Sequence, residues 1–261
     1  MLFVPAPPSC YTDYKTYDGT DLTDVLIPGG RYMRIVDRFK YLGSWIARNG
    51  NDTLDVDSRI SSASKAFGAL RKCVFRSLSV SRAAKCAVYE RLILAILLYG
   101  AESWCLMEVL RQRLRVFHAQ CLRAMSRVTR ADTWRHHIST QALGQEMGIN
   151  TIDFYITRRQ LGWLGHVSRM DYETRLPRKL LSAWIPSKRP TGAPAMTYGR
   201  SITKALDNFN FDRDLWPQMA ADRSLWRDSL ALGRPAIRQS KRLAQKPRAE
   251  LPAALRPRNR A

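Results

Sequence analysis

Lys65, Arg71, Lys72, Arg111, Arg113 and Arg115 are the side chains of this sequence best suited in type to work on a partner. Each can hold phosphate oxygens and so position a nucleic-acid strand, and each would serve equally on a solvated helix face. Other constellations carry less chemistry. Cys105, His118 and Cys121 could suggest zinc, yet the paired Cys-x-x-Cys spacing is missing and Cys121 falls on an apolar stripe, where a thiol packs. His136 and His137, with His118 and His166, have no zinc-type spacing. Serine, histidine and aspartate are present without a Gly-x-Ser-x-Gly elbow. Two-metal phosphoryl transfer needs clustered carboxylates to hold both cations, and no Asp-Asp pair occurs in the chain. The sequence therefore offers no catalytic residue and no metal site, and reads as a chain that binds.

Composition points the same way. A formal net charge of +21, from 43 basic and 22 acidic side chains, favours a polyanion through release of its counterions. At 261 residues and 45% hydrophobic content the chain can bury a core. Five cysteines without a dense pattern (Cys10, Cys73, Cys86, Cys105, Cys121) argue against a disulfide scaffold and for a reducing compartment. The first residues carry no charged n-region and too short an apolar run for a signal peptide, so an intracellular protein of nucleus or cytoplasm is expected rather than a secreted one. The apolar run Leu92 to Tyr99 falls short of the ~20 residues a membrane span needs, and no membrane partner is expected.

The elements that must position these cations are mostly helical. Leu2 to Val4 is a plausible strand, and Asp24 to Ile27 with Tyr32 to Val36, joined through Pro28-Gly29-Gly30, reads as a hairpin. Phe39 to Ile46 mixes aromatic and β-branched residues with the near alternation of a half-buried strand, and Gly43 in its middle lets another backbone approach. Asp52 or Thr53 can cap a helix with a stripe of Ile60, Ala63, Phe67, Leu70 and Val74. Ser79 or Ser81 starts a second helix through Tyr89, Ile93 and Leu97. A third follows Gly100 with Leu110, Leu114, Phe117, Cys121 and Met125. Short connections between the three suit an antiparallel bundle. Thr129 to Thr140 is a polar break. A short helix from Thr140 to Met147 and a longer one capped by Thr151 follow, with Gly162 and Gly165 suited to close packing more than to helix propensity. Pro177 permits another start, Pro186 to Pro194 marks a loop, and a last amphipathic helix spans about Arg213 to Leu232. Residues 233–261 hold nine basic side chains against one acidic and are expected to form a disordered basic tail.

Phe39-Lys40-Tyr41-Leu42-Gly43-Ser44 resembles the Phe-x-Tyr-Leu-Gly-Ser motif that follows the palm core in non-LTR (LINE-type) retrotransposon reverse transcriptases. The likeness continues through Arg59-Ile60, Ala66-Phe67 and Leu70, then Leu98-Tyr99-Gly100-Ala101-Glu102-Ser103-Trp104. It resumes at Arg158-Arg159-Gln160-Leu161-Gly162-Trp163-Leu164-Gly165-His166-Val167-Ser168-Arg169-Met170 and at Arg175-Leu176-Pro177. Several such matches in the family's order span about residues 30–230. The chain departs from the family at Gly192-Ala193-Pro194 and Tyr198, where relatives often carry Gly-Arg-Pro and Trp, and at Ala101, where Cys is frequent.

The resemblance implies the family's C-terminal part: the end of the palm with its primer-grip strand over 1–51, a helical thumb over 52–130, a helical extension over 131–232 and the tail. The primer grip would be Phe39, Tyr41, Leu42 and Gly43. Nucleic acid would meet Arg59, Lys65, Arg71, Lys72, Arg111, Arg115, Arg158, Arg159, His166 and Arg169. His166 suits a phosphate or base contact, or a packed, hydrogen-bonded place beside Trp163 and Leu164. The family's Ala-Asp-Asp turn is absent, so Mg2+ is expected only for the full-length family enzyme and this chain alone is expected to be inactive as a polymerase. The expected fold is mainly α, with a small N-terminal antiparallel β-hairpin or sheet. The expected partner is RNA or DNA duplex bound without sequence preference, together with the palm and fingers if the chain belongs to a longer protein. Two alternatives stand beside this reading: a basic helical nucleic-acid-binding protein in its own right, and a nonfunctional remnant reading frame.

Overall fold

A computed structural model describes residues 25–27, 31–33, 36–47, 50–182 and 197–232. The expected strand at Leu2 to Val4, the Pro186 to Pro194 loop and the basic tail lie outside the described residues. The chain is mainly helical, with short antiparallel strands near its start, as the sequence pattern predicts. It divides into two compact units, Met1–Ser58 and Arg59–Ala261.

In the first unit, β1 (Val25–Ile27) pairs with β2 (Arg31–Met33), with Leu26 opposite Tyr32. Residues 39–46, expected as one strand, are instead a second hairpin: β3 (Arg38–Tyr41) pairs with β4 (Ser44–Ala47), Phe39 opposite Ile46 and Tyr41 opposite Ser44. Leu42 and Gly43 form its two-residue turn with φ of 46° and 87°. Positive φ at both central residues matches the right-handed twist of the flanking strands, which is why such a turn joins them. Gly43 thus serves the turn, not the approach of another backbone. The strand is not half-buried either: Phe39, Lys40, Tyr41 and Leu42 are all exposed, because a two-stranded ribbon has no second layer to cover it. Asp55, in the first turn of α1 (Thr53–Leu70), accepts a 3.0 Å hydrogen bond from the Trp45 amide and ties β4 to that helix.

In the second unit, the stripe expected to end at Val74 ends at Phe75. Residues Arg71–Phe75 wind as a π-helical turn, and the extra residue per turn brings Phe75 into the core, stacked on Phe67 at 4.3 Å. Tyr89 meets Phe67 edge-on at 6.5 Å. Such ring pairs add about 1 kcal/mol each beyond their burial. The second helix begins as expected at Ser81, whose side chain accepts from the Ala84 amide, and runs as α2 (Arg82–Val88), a π-helical turn (Tyr89–Ile93) and α3 (Leu94–Leu97). The third, α4 (Glu108–Ser126), buries Leu110, Leu114, Phe117, Cys121, Leu122 and Met125.

The polar break holds a short helix, α5 (Arg130–Arg135), closed by a capping box between Thr129 and Asp132. Ser139 caps α6 (Thr140–Met147), and Thr151 caps α7 (Ile152–Ser168). After α8 (Leu176–Ser182), the sequence pattern missed α9 (Tyr198–Asn208), which Thr197 caps and which buries Ile202, Ala205 and Leu206. The expected last helix is two, α10 (Trp216–Ala221) and α11 (Arg223–Leu232). Asp222 breaks them with an extended ψ of 112°, its carboxylate accepting from the Ser224 and Leu225 amides. Phe154, Leu161, Leu164, Leu206, Phe209, Trp226 and Leu230 make one core between α7, α9, α10 and α11.

The two glycines of α7 separate cleanly. A Cβ on Gly165 would lie 2.1 Å from Nε1 of Trp226, which donates a 3.0 Å hydrogen bond to the Leu161 carbonyl; a Cβ on Gly162 meets nothing within 4 Å. Close packing explains Gly165 and does not explain Gly162. Gly165→Ala is expected to lose about 1–3 kcal/mol by overpacking, while Gly162→Ala gains up to about 1 kcal/mol of helix propensity. Urea denaturation of the two variants should show opposite signs.

Candidate nucleic-acid interface

The scarcity of carboxylates decides which expected cations face a partner. Arg111 and Arg115 lie one turn apart on α4, and both turn to Asp153 in the first turn of α7. Arg115 forks onto it, Nε to Oδ2 at 2.6 Å and Nη2 to Oδ1 at 3.1 Å, and its third nitrogen pairs with Glu108. Arg111 reaches the same carboxylate at 3.4 Å and is buried. Charge-assisted bonds of this bidentate kind are the strong ones. Both arginines, expected on the nucleic-acid face, join α4 to α7 through Asp153.

Three more of the expected residues are partly engaged. The Arg59 guanidinium lies 4.4 Å above the Tyr99 ring. Arg159 pairs with Glu102 at 3.9 Å, and Arg169 donates to the Ala220 carbonyl. His166 is exposed, its ring 5.4 Å from that of Trp163, so it is not the packed, hydrogen-bonded residue that one reading of the sequence favoured. Lys65, Arg71, Lys72 and Arg158 are exposed and have no ion-pair partner among the described residues.

Arg71 has neighbours that spacing alone did not reveal. A cleft of about 240 Å³ brings it together with Arg76, Arg123 and Arg127, and Gln120 and Thr129 complete the wall. An i→i+5 turn sets Arg71 and Arg76 closer to one above the other than α-helical winding would. Arg123 and Arg127 are one turn apart at the end of α4. Arg127 takes the left-handed conformation at the helix cap, φ 57°, and its guanidinium donates to the Arg76 carbonyl. No carboxylate lines the cleft. Only the π-turn could have signalled the set, and no residue type announces one.

A second, more apolar cavity of about 520 Å³ lies between α4, α6 and the start of α7, with His118 in its wall. Nδ1 of His118 is 2.8 Å from the Tyr89 hydroxyl, and Nε2 has no hydrogen-bond partner. Burial pushes this imidazole down to about 4, against weaker opposing pulls from the Asn150 backbone and Asp153. Burial likewise holds the Cys121 thiol up at about 12, and the Tyr89 hydroxyl, its neighbour, well above its ordinary range. Cys105, half-buried, turns its sulfur to the Ser103 carbonyl instead. Among the described residues no three His, Cys, Asp or Glu side chains converge to hold a metal ion. Among the same residues no helix is long and apolar enough to cross a membrane.

An uncharacterized transposon-derived protein of Caenorhabditis elegans is 24% identical to this chain over 196 residues, covering 73% of this chain and 69% of that protein. The similarity supports a transposable-element origin. No family model and no solved structure matches.

The buried imidazole gives a pH dependence with a definite sign. An unfolded His takes up its proton near pH 6.5 and the folded His118 only near 4, so the unfolded state binds more protons between these values. The stability from keeping His118 neutral is full above pH 6.5 and is lost as pH falls toward 4, about 3 kcal/mol in all. His118→Gln should flatten this part of the curve of unfolding free energy against pH, relative to wild type, over pH 4–7.

Proposed function

We propose that this chain derives from the C-terminal part of a non-LTR retrotransposon reverse transcriptase. In this reading it retains the parts that hold a primer–template duplex, primer grip and thumb, and carries no polymerase centre of its own. One observation carries the reading most directly. Leu42, inside the Phe-x-Tyr-Leu-Gly-Ser motif, stands at φ 46° and is 75% exposed. A left-handed backbone costs a non-glycine residue about 1–2 kcal/mol, and exposing leucine returns none of it. The turn requires the positive φ but not a leucine, and a large exposed apolar side chain kept at such a position suits a contact surface. Phe39, Tyr41 and Ile46, exposed on the same hairpin, extend the apolar surface that a sugar or base at a strand end would meet. Lys65, Arg71, Lys72 and Arg158, free of ion pairs among the described residues, are suited to the phosphates. Arg111 and Arg115 have no part in this, since Asp153 holds them.

The full chain should bind a duplex with a recessed 3′ end at low salt, with log K falling linearly as log salt concentration rises. Absence of binding, or binding indifferent to salt, sinks the proposal and leaves a nonfunctional remnant. Equal affinity for blunt and recessed duplexes would favour instead a basic helical module with no primer grip. Leu42→Asn relieves the turn, and is expected to raise stability by about 1 kcal/mol while lowering the preference for recessed ends several-fold. A loss of both would show that Leu42 serves folding only.

A further inference from the structure

Four arginines line the cleft formed by the π-helical turn and the end of α4, and no carboxylate lines it. The nearest candidate, Asp132, is committed elsewhere: it accepts from the Thr129 amide and hydroxyl, and its cationic neighbours are Arg135 and His136. Helix C-termini make such cations tolerable through their partial negative charge, yet they leave most of the N–H donors unused. The local potential is felt by Lys85, whose buried ammonium is lowered first by burial and then by Arg127. Arg127 is strained into the left-handed region and tied to the Arg76 carbonyl, so one wall of the cleft is built and fixed.

The charge and shape select among anions. An internal phosphodiester brings one negative charge and two free oxygens, too few for four guanidinium forks. A phosphate monoester brings about two charges and three acceptor oxygens, which bidentate arginines match well. The space, about 240 Å³, is large enough for a phosphate group. We propose that Arg71, Arg76, Arg123 and Arg127 form a phosphate-monoester site that seats the 5′-phosphate at the end of a nucleic-acid strand. The assignment of the strand as source rests on the nucleic-acid reading above; the monoester chemistry does not.

The test compares two duplexes, identical except for 5′-phosphate or 5′-hydroxyl ends, bound to the full chain and to the Arg71→Gln/Arg123→Gln variant, with Lys204→Gln, exposed on α9, as a control outside the cleft. Arg71→Gln alone, an exposed change, serves if the double variant fails to fold by circular dichroism. The 5′-phosphate should tighten binding about tenfold in wild type and in Lys204→Gln, and the cleft variants should lose that difference. Equal affinity for the two duplexes in wild type, or a difference that survives in the cleft variants, overturns the site while leaving the duplex-binding proposal standing. If neither duplex binds at low salt, the duplex reading falls and a thermal-shift arm with inorganic phosphate and pyrophosphate, at matched ionic strength, decides the cleft. A rise in melting temperature lost in the variants upholds the monoester site with a free phosphate as its ligand, and no rise removes it.

Discussion

Carboxylates are scarce in this chain, and where the fold places them determines which cations remain for a partner. With 22 acids for 43 bases, self-repulsion works against the compact state, so each carboxylate matters. Many serve the backbone more than they serve charge. Asp132, Asp171 and Asp222 accept from hydroxyls and helix-start amides, and those bonds hold their carboxyls below the usual range. Asp153 neutralises charge directly, since it meets Arg115 through a fork and Arg111 behind it. Arg111 is buried, and a buried guanidinium without an anion would cost several kcal/mol. The polar part of the α4–α7 joint therefore centres on one acid, which buries Arg111 and holds the half-exposed Arg115 in place.

From that joint the body extends in two directions. Toward the N-terminal side of the second unit, Tyr89 links Phe67 by an edge contact and His118 by a hydrogen bond, so this one side chain touches both neighbours of the middle helix. Toward the C-terminal side, Gln160, fully buried on α7, donates to the Trp104 carbonyl and the Ser201 hydroxyl and so joins α7 to α9 and to the segment before α4. Trp226 closes over Gly165 and bonds the Leu161 carbonyl. Polar side chains specify the joints while aliphatic ones fill them, which fixes the cation-bearing elements relative to one another within the unit.

Much of this was legible in the sequence, and the rest was hidden for identifiable reasons. Ser81 and Thr151 begin helices where their hydroxyls precede an apolar period, because capping is a local event that residue type reveals. The hairpin at Leu42-Gly43 was hidden because leucine is a poor choice for positive φ, so the turn looked like the middle of a strand. The helix from Tyr198 was missed beside a proline-rich loop, and the break at Asp222 was read as continuous amphipathicity. The arginine cleft was invisible for a deeper reason. Arg76 meets Arg71 only because the helix takes a π-turn there, which shifts every later residue on that face by one. A period of 3.6 places Val74 in the core and Arg76 elsewhere, and tertiary packing overrode it.

The places where local rules fail without a return inside the chain are the informative ones. Among the described residues, four other than glycine adopt positive φ. Asn210 does so at little cost, since a short amide side chain is tolerated there, and nothing in the structure explains His137. Leu42 and Arg127 remain, and the cost differs in kind: strain with exposed apolar surface at one, strain with like-charge crowding at the other. An anion cannot relieve the first, and an apolar surface cannot relieve the second. The two departures therefore call for different relief, apolar contact at the hairpin tip and negative charge at the arginine cleft.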